Sequence, residues 1–343
     1  MIVPEATRMF AEAAEAGDAV ARQLQTYGAA LDDLAQSLRA EPPRTVLTCA
    51  RGSSDHAATY LKHLIETRTG IVVASASPST ASLYRAAPQA RDMLAIGLSQ
   101  SGKSPDLLAT MAAAADAGAR TLALVNATDS PLAALAHTVL PLHAGAERSV
   151  AATKSFLATL AAAAALVARW TGDVALEKAV TELPDQLRAA WTCDWSAMTE
   201  ALAEARGLYV VGRGPGFGAA QEAALKLKET CGLHAEAFSA AELRHGPMAL
   251  IGPGFPLLVF RQEDEAADGL DGLVAEMAAR GSTVLVTGPA AGGAVALPVP
   301  PSHSATAPIL AVQAFYRAAN ALSVRRGFDP DRPPHLSKIT ETI

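Results

Sequence analysis

The stretch Met93-Leu-Ala-Ile-Gly-Leu-Ser-Gln-Ser-Gly-Lys-Ser-Pro-Asp106 decides the fold. Met93 to Leu98 is apolar without alternation, as expected of a strand buried on both faces. It runs straight into the polar turn at Ser99-Gln-Ser-Gly102, which opens a helix over 107–117. A buried strand that passes through a short polar turn into a helix is the building unit of a parallel sheet covered by helices.

The same grammar extends in both directions. Upstream, Val20, Leu24, Tyr27, Leu31, Leu34 and Leu38 form one apolar stripe at alternating spacings of four and three, a helix that Pro42 and Pro43 end. A strand over 45–50 then stops at Arg51-Gly-Ser-Ser54, where Ser53 or Ser54 is available to N-cap the next helix. Further strands are expected at 71–74, 121–125 and 138–142, and a long helix over about 151–170. Residues 171–205, with Pro184, Trp191 and Trp195, read as a helical connector. The pattern restarts at Gly207-Leu-Tyr-Val-Val-Gly212, followed by Arg213-Gly-Pro-Gly216 and a helix to Glu229. Strands at 235–238, 256–260, 283–287 and 296–299 and helices near 265–280 and 305–326 complete it.

Strand–Arg51-Gly52–helix matches strand–Arg213-Gly214–helix, and Ala81-Ser-Leu83 corresponds to Ala241-Glu-Leu243. The expected fold class is therefore α/β, two copies of one unit, each a parallel sheet flanked by helices. The expected division is an N-terminal helix (1–42), a first domain (43–172), the connector (173–205), a second domain (206–327) and a tail (328–343). Ligand sites in such sheets lie beyond the carboxyl ends of the strands, where helix N-termini point.

Composition narrows the function classes. The 343 residues are 50% apolar and 18% charged, enough for real cores and unlike a disordered chain. The longest nearly uninterrupted apolar run, Phe156 to Ala168, is too short to cross a bilayer as a helix. The opening MIVPEATRMFAEAAEAGD lacks the basic start and apolar core of a signal peptide, so a cytoplasmic location is expected. A net charge of −6 argues against nucleic-acid partners. Cys49, Cys193 and Cys231 have no CxxC spacing and supply neither a disulfide framework nor a zinc site.

Several residues could carry chemistry. Ser99-Gln-Ser-Gly-Lys-Ser104 reads either as a phosphate cradle without a Walker lysine or as an ordinary serine-rich N-cap. Lys226 and Glu229 share a helix face, which by itself reads as a surface ion pair, although a carboxylate also suits the movement of a carbon-bound proton. His245 precedes Gly246-Pro247 and reads as a helix C-cap or a general acid–base group. Lys338 by default is a solvated lysine. The run Gly212 to Gly218 resembles a dinucleotide fingerprint only loosely, and no acidic ribose partner follows it.

Taken together and in this order, ARGSS (50–54), SQSG (99–102), SVAATK (149–154), ALKLKE (224–229), HAEAFSAAELRHGP (234–247) and LSK (336–338) resemble the sugar isomerase (SIS) family with tandem domains. The resemblance reaches the isomerase half of glucosamine-6-phosphate synthase and the stand-alone SIS-type glucosamine-6-phosphate deaminases. It implies two tandem SIS domains, each a three-layer αβα sandwich. It also implies a phosphosugar site at Ser53, Ser54, Ser99, Gln100, Ser101 and Ser104, with Val150 and Ala151 lining the sugar. Glu229 is then the proton-transferring carboxylate, His245 the ring-opening histidine, and Lys338 a tail lysine near the substrate carbonyl, with Lys226 assisting. The implied reaction converts glucosamine 6-phosphate and water to fructose 6-phosphate and ammonia, with no metal or other cofactor. The implied assembly is a homodimer with shared active sites, and no membrane partner.

Two departures bear on the reaction. The chain begins Met1-Ile2 without the synthase's glutaminase domain, so the synthase reaction is not expected. Lys103 follows the SQSG turn where the synthase has an acidic residue. Related alternatives are an enzyme for galactosamine 6-phosphate, for a fructosamine 6-phosphate or for a plain aldose or ketose phosphate. An alternative of another class is a non-catalytic sugar-phosphate sensor.

Overall fold

The computed structural model describes residues 2–290 and 292–338, so the last five residues of the expected tail lie outside the described residues. In chain order the elements are α1 (Arg8–Ala14), α2 (Ala16–Ala40), β1 (Thr45–Cys49), α3 (Ser53–Thr69), β2 (Val73–Ser75), α4 (Ser79–Ser82), β3 (Met93–Ser99) and α5 (Pro105–Asp116). Then come β4 (Arg120–Val125), α6 (Pro131–Leu135), β5 (Thr138–Pro141), α7 (Lys154–Thr171), α8 (Val174–Trp191) and α9 (Ser196–Leu202). The remainder is β6 (Gly207–Gly212), α10 (Gly216–Cys231), β7 (His234–Ser239), β8 (Pro256–Val259), α11 (Ala267–Ala279), β9 (Thr283–Thr287), β10 (Val295–Leu297) and α12 (Ala307–Arg325). The alternation is the one the periodicity predicts.

The chain divides into two compact units. The first comprises Asp18–Glu147 and Ser155–Thr181 and holds a sheet of order β2-β1-β3-β4-β5. Every pairing in it is parallel, with Thr45 opposite Met93 and Leu94 opposite Arg120. The apolar run of β3 is buried from Leu94 onward, because helices cover both of its faces. Leu107, Met111 and Leu132 pack over one face with Ala95, Ala123 and Val125. The run Phe156 to Ala168 forms the buried body of α7, and Gln23 of α2 donates to the Ala158 carbonyl at 2.9 Å. Among the described residues no helix is long and apolar enough to cross a membrane.

The second unit comprises residues 2–17, Arg148–Lys154 and the described residues of Glu182–Lys338, with sheet order β10-β9-β8-β6-β7, again all parallel. Its core joins Tyr209, Val211, Leu257, Val259, Leu270 and Met277. Counted from its own first strand, this sheet repeats the order 2-1-3-4-5 of the first, so the duplication read from the sequence is a duplication of topology. In both copies the order of successive strands reverses beside the first strand, at β1/β3 and at β6/β8. Such a switch point opens a crevice at the carboxyl ends of the two strands.

Candidate functional site

At the switch point of the first sheet, two turns face the crevice: Arg51 to Ser54 after β1 and Ser99 to Ser104 after β3. The expected serine N-cap of α3 is not found. Gly52 holds that position at φ 54°, a left-handed conformation that serine adopts only at a cost, and Ser53 is already the first helical residue. In the second turn the Gly102 amide donates to Ser99 Oγ at 2.9 Å. Gly102 has φ 64°, and a Cβ there would lie 2.2 Å from Ser130 Oγ, so the turn requires glycine. Ser104 N-caps α5 with its backbone but makes no side-chain cap bond. Ser99 Oγ accepts in that bond and keeps its O–H to donate, while the hydroxyls of Ser54, Ser101 and Ser104 carry no hydrogen bond to any described residue. That leaves donors beside a helix N-terminus, the arrangement an anion requires.

Arg51 and Asp106 tie the two turns together, with Nε and Nη2 of Arg51 2.8 and 2.6 Å from one Asp106 oxygen. The other Asp106 oxygen accepts from the Leu107 amide at 2.8 Å, inside the first turn of α5.

The second sheet treats its switch point differently. Gln262, buried beyond β8, donates to the Arg213 carbonyl at 2.9 Å and to Asp264 at 2.8 Å. A Cβ on Gly216 would lie 2.5 Å from its Oε1. The protein's own amide thus fills the place where the first copy carries its hydroxyl-rich turn.

The second unit has its chemistry on α10. Glu222, Lys226 and Glu229 stand at i, i+4 and i+7, one face of the helix. Lys226 Nζ is 2.6 Å from Glu229 and 3.3 Å from Glu222. This corrects the surface reading of the pair: the Lys226 side chain is 1% exposed and Glu222 0%, whereas Glu229 is 20% exposed. Tyr316 of α12 donates its hydroxyl to Glu222 Oε1 at 2.9 Å. Burial works to deprotonate Lys226, but the Glu222 and Glu229 carboxylates outweigh it and hold its pKa above the ordinary lysine value.

His245 ends a one-turn 3₁₀ helix, Glu242–His245, beyond the carboxyl end of β7. It is exposed and makes no hydrogen bond or ion pair with any described residue. The tail leaves α12 beside α10: Arg326 donates to the Cys231 carbonyl at 2.9 Å, and the Phe328 ring lies over Gly232, the left-handed cap that ends α10. Lys338, at the end of the described tail, is half-buried and engaged with a partner.

The stretch Arg148–Lys154 belongs to this unit and is clamped by α1. Glu12 accepts from the Arg148 amide at 2.5 Å and from the Ser149 amide at 3.1 Å, as well as from the Ser149 hydroxyl. Glu15 holds the buried Lys154 at 2.5 Å. Between these fixed ends lie Val150, half-buried, and Ala151, buried. At the other end of α1, Asp331 of the tail accepts from the Arg8 and Met9 amides at 2.7 and 2.8 Å.

Sequence reasoning missed Asp106, Glu12, Glu222 and Tyr316. Glu222 left a visible signal, its spacing on the face of Lys226 and Glu229. The others act on residues far away in the sequence and left none. Among the described residues no group of three or more His, Cys, Asp or Glu side chains converges as metal ligands do.

Comparison with known proteins places these features in a family context. The family model for the SIS domain matches residues 41–169 and 201–321. Glutamine–fructose-6-phosphate aminotransferase (isomerizing) of Pyrobaculum aerophilum is 37% identical over 261 residues, 72% of this chain and 43% of that protein. The same enzyme of Zymomonas mobilis is 33% identical over 314 residues, 86% of this chain and 51% of that protein. The chain spans about half the length of the curated relatives it matches. A crystal structure from Silicibacter pomeroyi, provisionally assigned as a phosphosugar isomerase, matches with a TM-score of 0.90 at 41% identity, covering 95% of this chain and 100% of that one. A glucosamine-6-phosphate deaminase of Thermotoga maritima shares the fold with a TM-score of 0.78 at 22% identity, covering 98% of this chain and 100% of that one.

Proposed function

This chain belongs to the SIS domain family, and on that premise we propose that it is an amino-sugar-phosphate deaminase converting glucosamine 6-phosphate and water to fructose 6-phosphate and ammonia. The observation that carries the reading is the α10 cluster: a buried lysine held charged by two carboxylates, of which only Glu229 reaches the surface. A carboxylate so placed has the reach and the chemistry to move a proton between adjacent carbons.

In this reading the phosphate is bound by the hydroxyls of Ser54, Ser99, Ser101 and Ser104, with Ser53 and Gln100 beside them. His245 assists opening of the pyranose. Glu229 takes the proton from C2 of the open aldehyde, giving an enolamine, and returns it at C1, which leaves an imine at C2. Water adds to the imine and ammonia departs, giving the ketone. Lys226 and Lys338 stabilise negative charge developing on oxygen, and Val150 and Ala151 line the sugar. The steps use only acid–base groups of the chain. The relatives' names join fructose 6-phosphate to amino-group transfer, and the proposal keeps that sugar while releasing the nitrogen. Lys103, exposed after the cradle, follows the stand-alone branch.

A homodimer with shared active sites is part of the proposal. It is supported by His245, exposed without a partner among the described residues, and by the exposed apolar side chains near the corresponding turns, Leu250 in the second unit and Leu83 and Tyr84 in the first. Mixing Glu229→Gln with His245→Ala protein restores activity if the two residues reach one site from different chains. No recovery after demonstrated subunit exchange rejects the shared site.

The deciding experiment measures ammonia release over glucosamine 6-phosphate, galactosamine 6-phosphate and a fructosamine 6-phosphate, with exchange of the C2 hydrogen into deuterium oxide followed in parallel. Exchange with ammonia release from glucosamine 6-phosphate is expected. Exchange without ammonia makes the protein a plain isomerase, and exchange of no substrate leaves the sensor reading.

A further inference from the structure

Under the proposed function Glu229 gains and loses a proton in every turnover, and the inference here rests on that reading. While Glu229 is neutral, the Lys226 ammonium loses the charge of its nearest carboxylate, at 2.6 Å. A buried ammonium without a counter-ion is strongly disfavoured, so it sheds its proton or keeps Glu229 ionised. The structure provides a second carboxylate on the same nitrogen. Glu222 lies 3.3 Å from Nζ, is wholly buried, and accepts the Tyr316 hydroxyl at 2.9 Å. With no exposed atom, Glu222 has no surface to offer a substrate.

We propose that Glu222 is the standing counter-ion of Lys226, a positioning residue held by Tyr316, which lets Glu229 change charge during turnover while Lys226 remains an ammonium. With Glu222 present the cluster alternates between net charges of −1 and 0. Without it the alternation is between 0 and +1, and the +1 state, which is the one with protonated Glu229, is penalised. Glu229 then becomes a weaker base.

α10 packs against α12, β6 and β7. Of the titratable groups on those elements, Tyr316 bonds Glu222, Tyr209 and Glu236 act on one another, and Arg317 and Arg325 are exposed. His234 on β7 is exposed, and Arg326, just past α12, is taken up by backbone carbonyls. Glu222 and Glu229 both act on the Lys226 ammonium and raise its pKa.

The test is Glu222→Gln, which keeps shape and hydrogen bonding but removes the charge. The acid limb of the pH–rate profile for C2-hydrogen exchange is expected to move down by about one pH unit, with kcat at neutral pH falling roughly 10- to 100-fold and KM unchanged. Glu222→Asp, which restores the charge, is expected to return the limb toward its native position. A rate loss with the limb unmoved overturns the proposal, since that is what a merely structural role produces. Carboxyl ¹³C titration of the native protein, with the two signals assigned from Glu229→Gln and Glu222→Asp, decides the matter if Glu222→Gln does not fold. Glu222 is expected to stay ionised through the pH range in which Glu229 takes its proton. Protonation of Glu222 at or above that range overturns the proposal. Native protein that exchanges no C2 hydrogen defeats the deaminase reading instead, and the titration order still decides the role of Glu222.

Discussion

Arg51 and Asp106 stand 55 residues apart in the chain and join the two turns of the first sheet's switch point through paired contacts of 2.8 and 2.6 Å. Asp106 is 1% exposed, so its charge depends on this partner, whereas the half-exposed Arg51 is screened by solvent.

Removal of the arginine takes the ion-pair partner from a buried carboxylate that still accepts from the Leu107 amide. Arg51→Met is therefore expected to destabilise the protein by roughly 1–3 kcal/mol, measured by urea unfolding. Adding Asp106→Asn is expected to recover part of that loss, because the stranded charge is gone. Strict additivity of the two changes in a double-mutant cycle contradicts a direct coupling.

The phosphate assignment rests on hydroxyls that have no partner among the described residues. Ser101→Ala removes one of them without disturbing the Gly102–Ser99 bond that shapes the turn. Affinity for a sugar phosphate is expected to fall by roughly 1–3 kcal/mol in calorimetry, the range for a hydrogen bond to a charged group. Unphosphorylated glucosamine is expected to bind weakly to native and variant protein alike. Equal affinity of the native protein for phosphorylated and free sugar rejects the cradle.

Strand–turn–helix alternation was legible in the sequence because central strands such as β3 and β8 are nearly continuous apolar runs and helices such as α2 carry a periodic apolar stripe. What escaped was the chemistry of long-range pairs. Lys226 looks solvated in Leu-Lys-Leu-Lys-Glu, and its burial is made tolerable by Glu229 together with the carboxylate one turn earlier, which the Tyr316 hydroxyl of α12 holds. The misplaced cap of α3 has a local cause: two serines compete for a position whose positive φ favours Gly52. The role of Glu12 depends on a loop 136 residues away, and no spacing rule reaches that far.

The thiols supply a test of the cores that is independent of function. Burial pushes Cys49 up to about 12 and Cys231 up to about 11, each from an ordinary value of 9.0. Their folded values are raised, so the folded state keeps its thiols protonated while the unfolded chain ionises above pH 9. Stability is thus unaffected below about pH 9 and falls as pH rises toward 11–12, by roughly 1.4 kcal/mol per pH unit for each thiol in its window. Unfolding midpoints of native and Cys49→Ala, Cys231→Ala protein are expected to converge with rising pH over that range. A thiol reagent at pH 8 is expected to modify Cys193, which is partly exposed, and to spare the other two.

Glu12 is the strongest case of a residue that supports the site without belonging to it. Its two oxygens accept from the Arg148 amide, the Ser149 amide and the Ser149 hydroxyl, so every donor at the start of the Val150–Ala151 stretch meets a carboxylate. Glu12→Gln turns one acceptor into an NH₂ group facing N–H donors, and one of those backbone donors is left unpaired in a largely buried position. The expected cost is roughly 1–3 kcal/mol in urea unfolding. Since the loosened segment is the one proposed to line the sugar, KM for the sugar phosphate is expected to rise several-fold, while the rate of C2-hydrogen exchange at saturation changes little. Glu12→Asp, which keeps the charge but withdraws it by one methylene, is expected to fall between native and Glu12→Gln on both scales. A Glu12→Gln protein with native stability and native KM shows that the clamp does not position the loop.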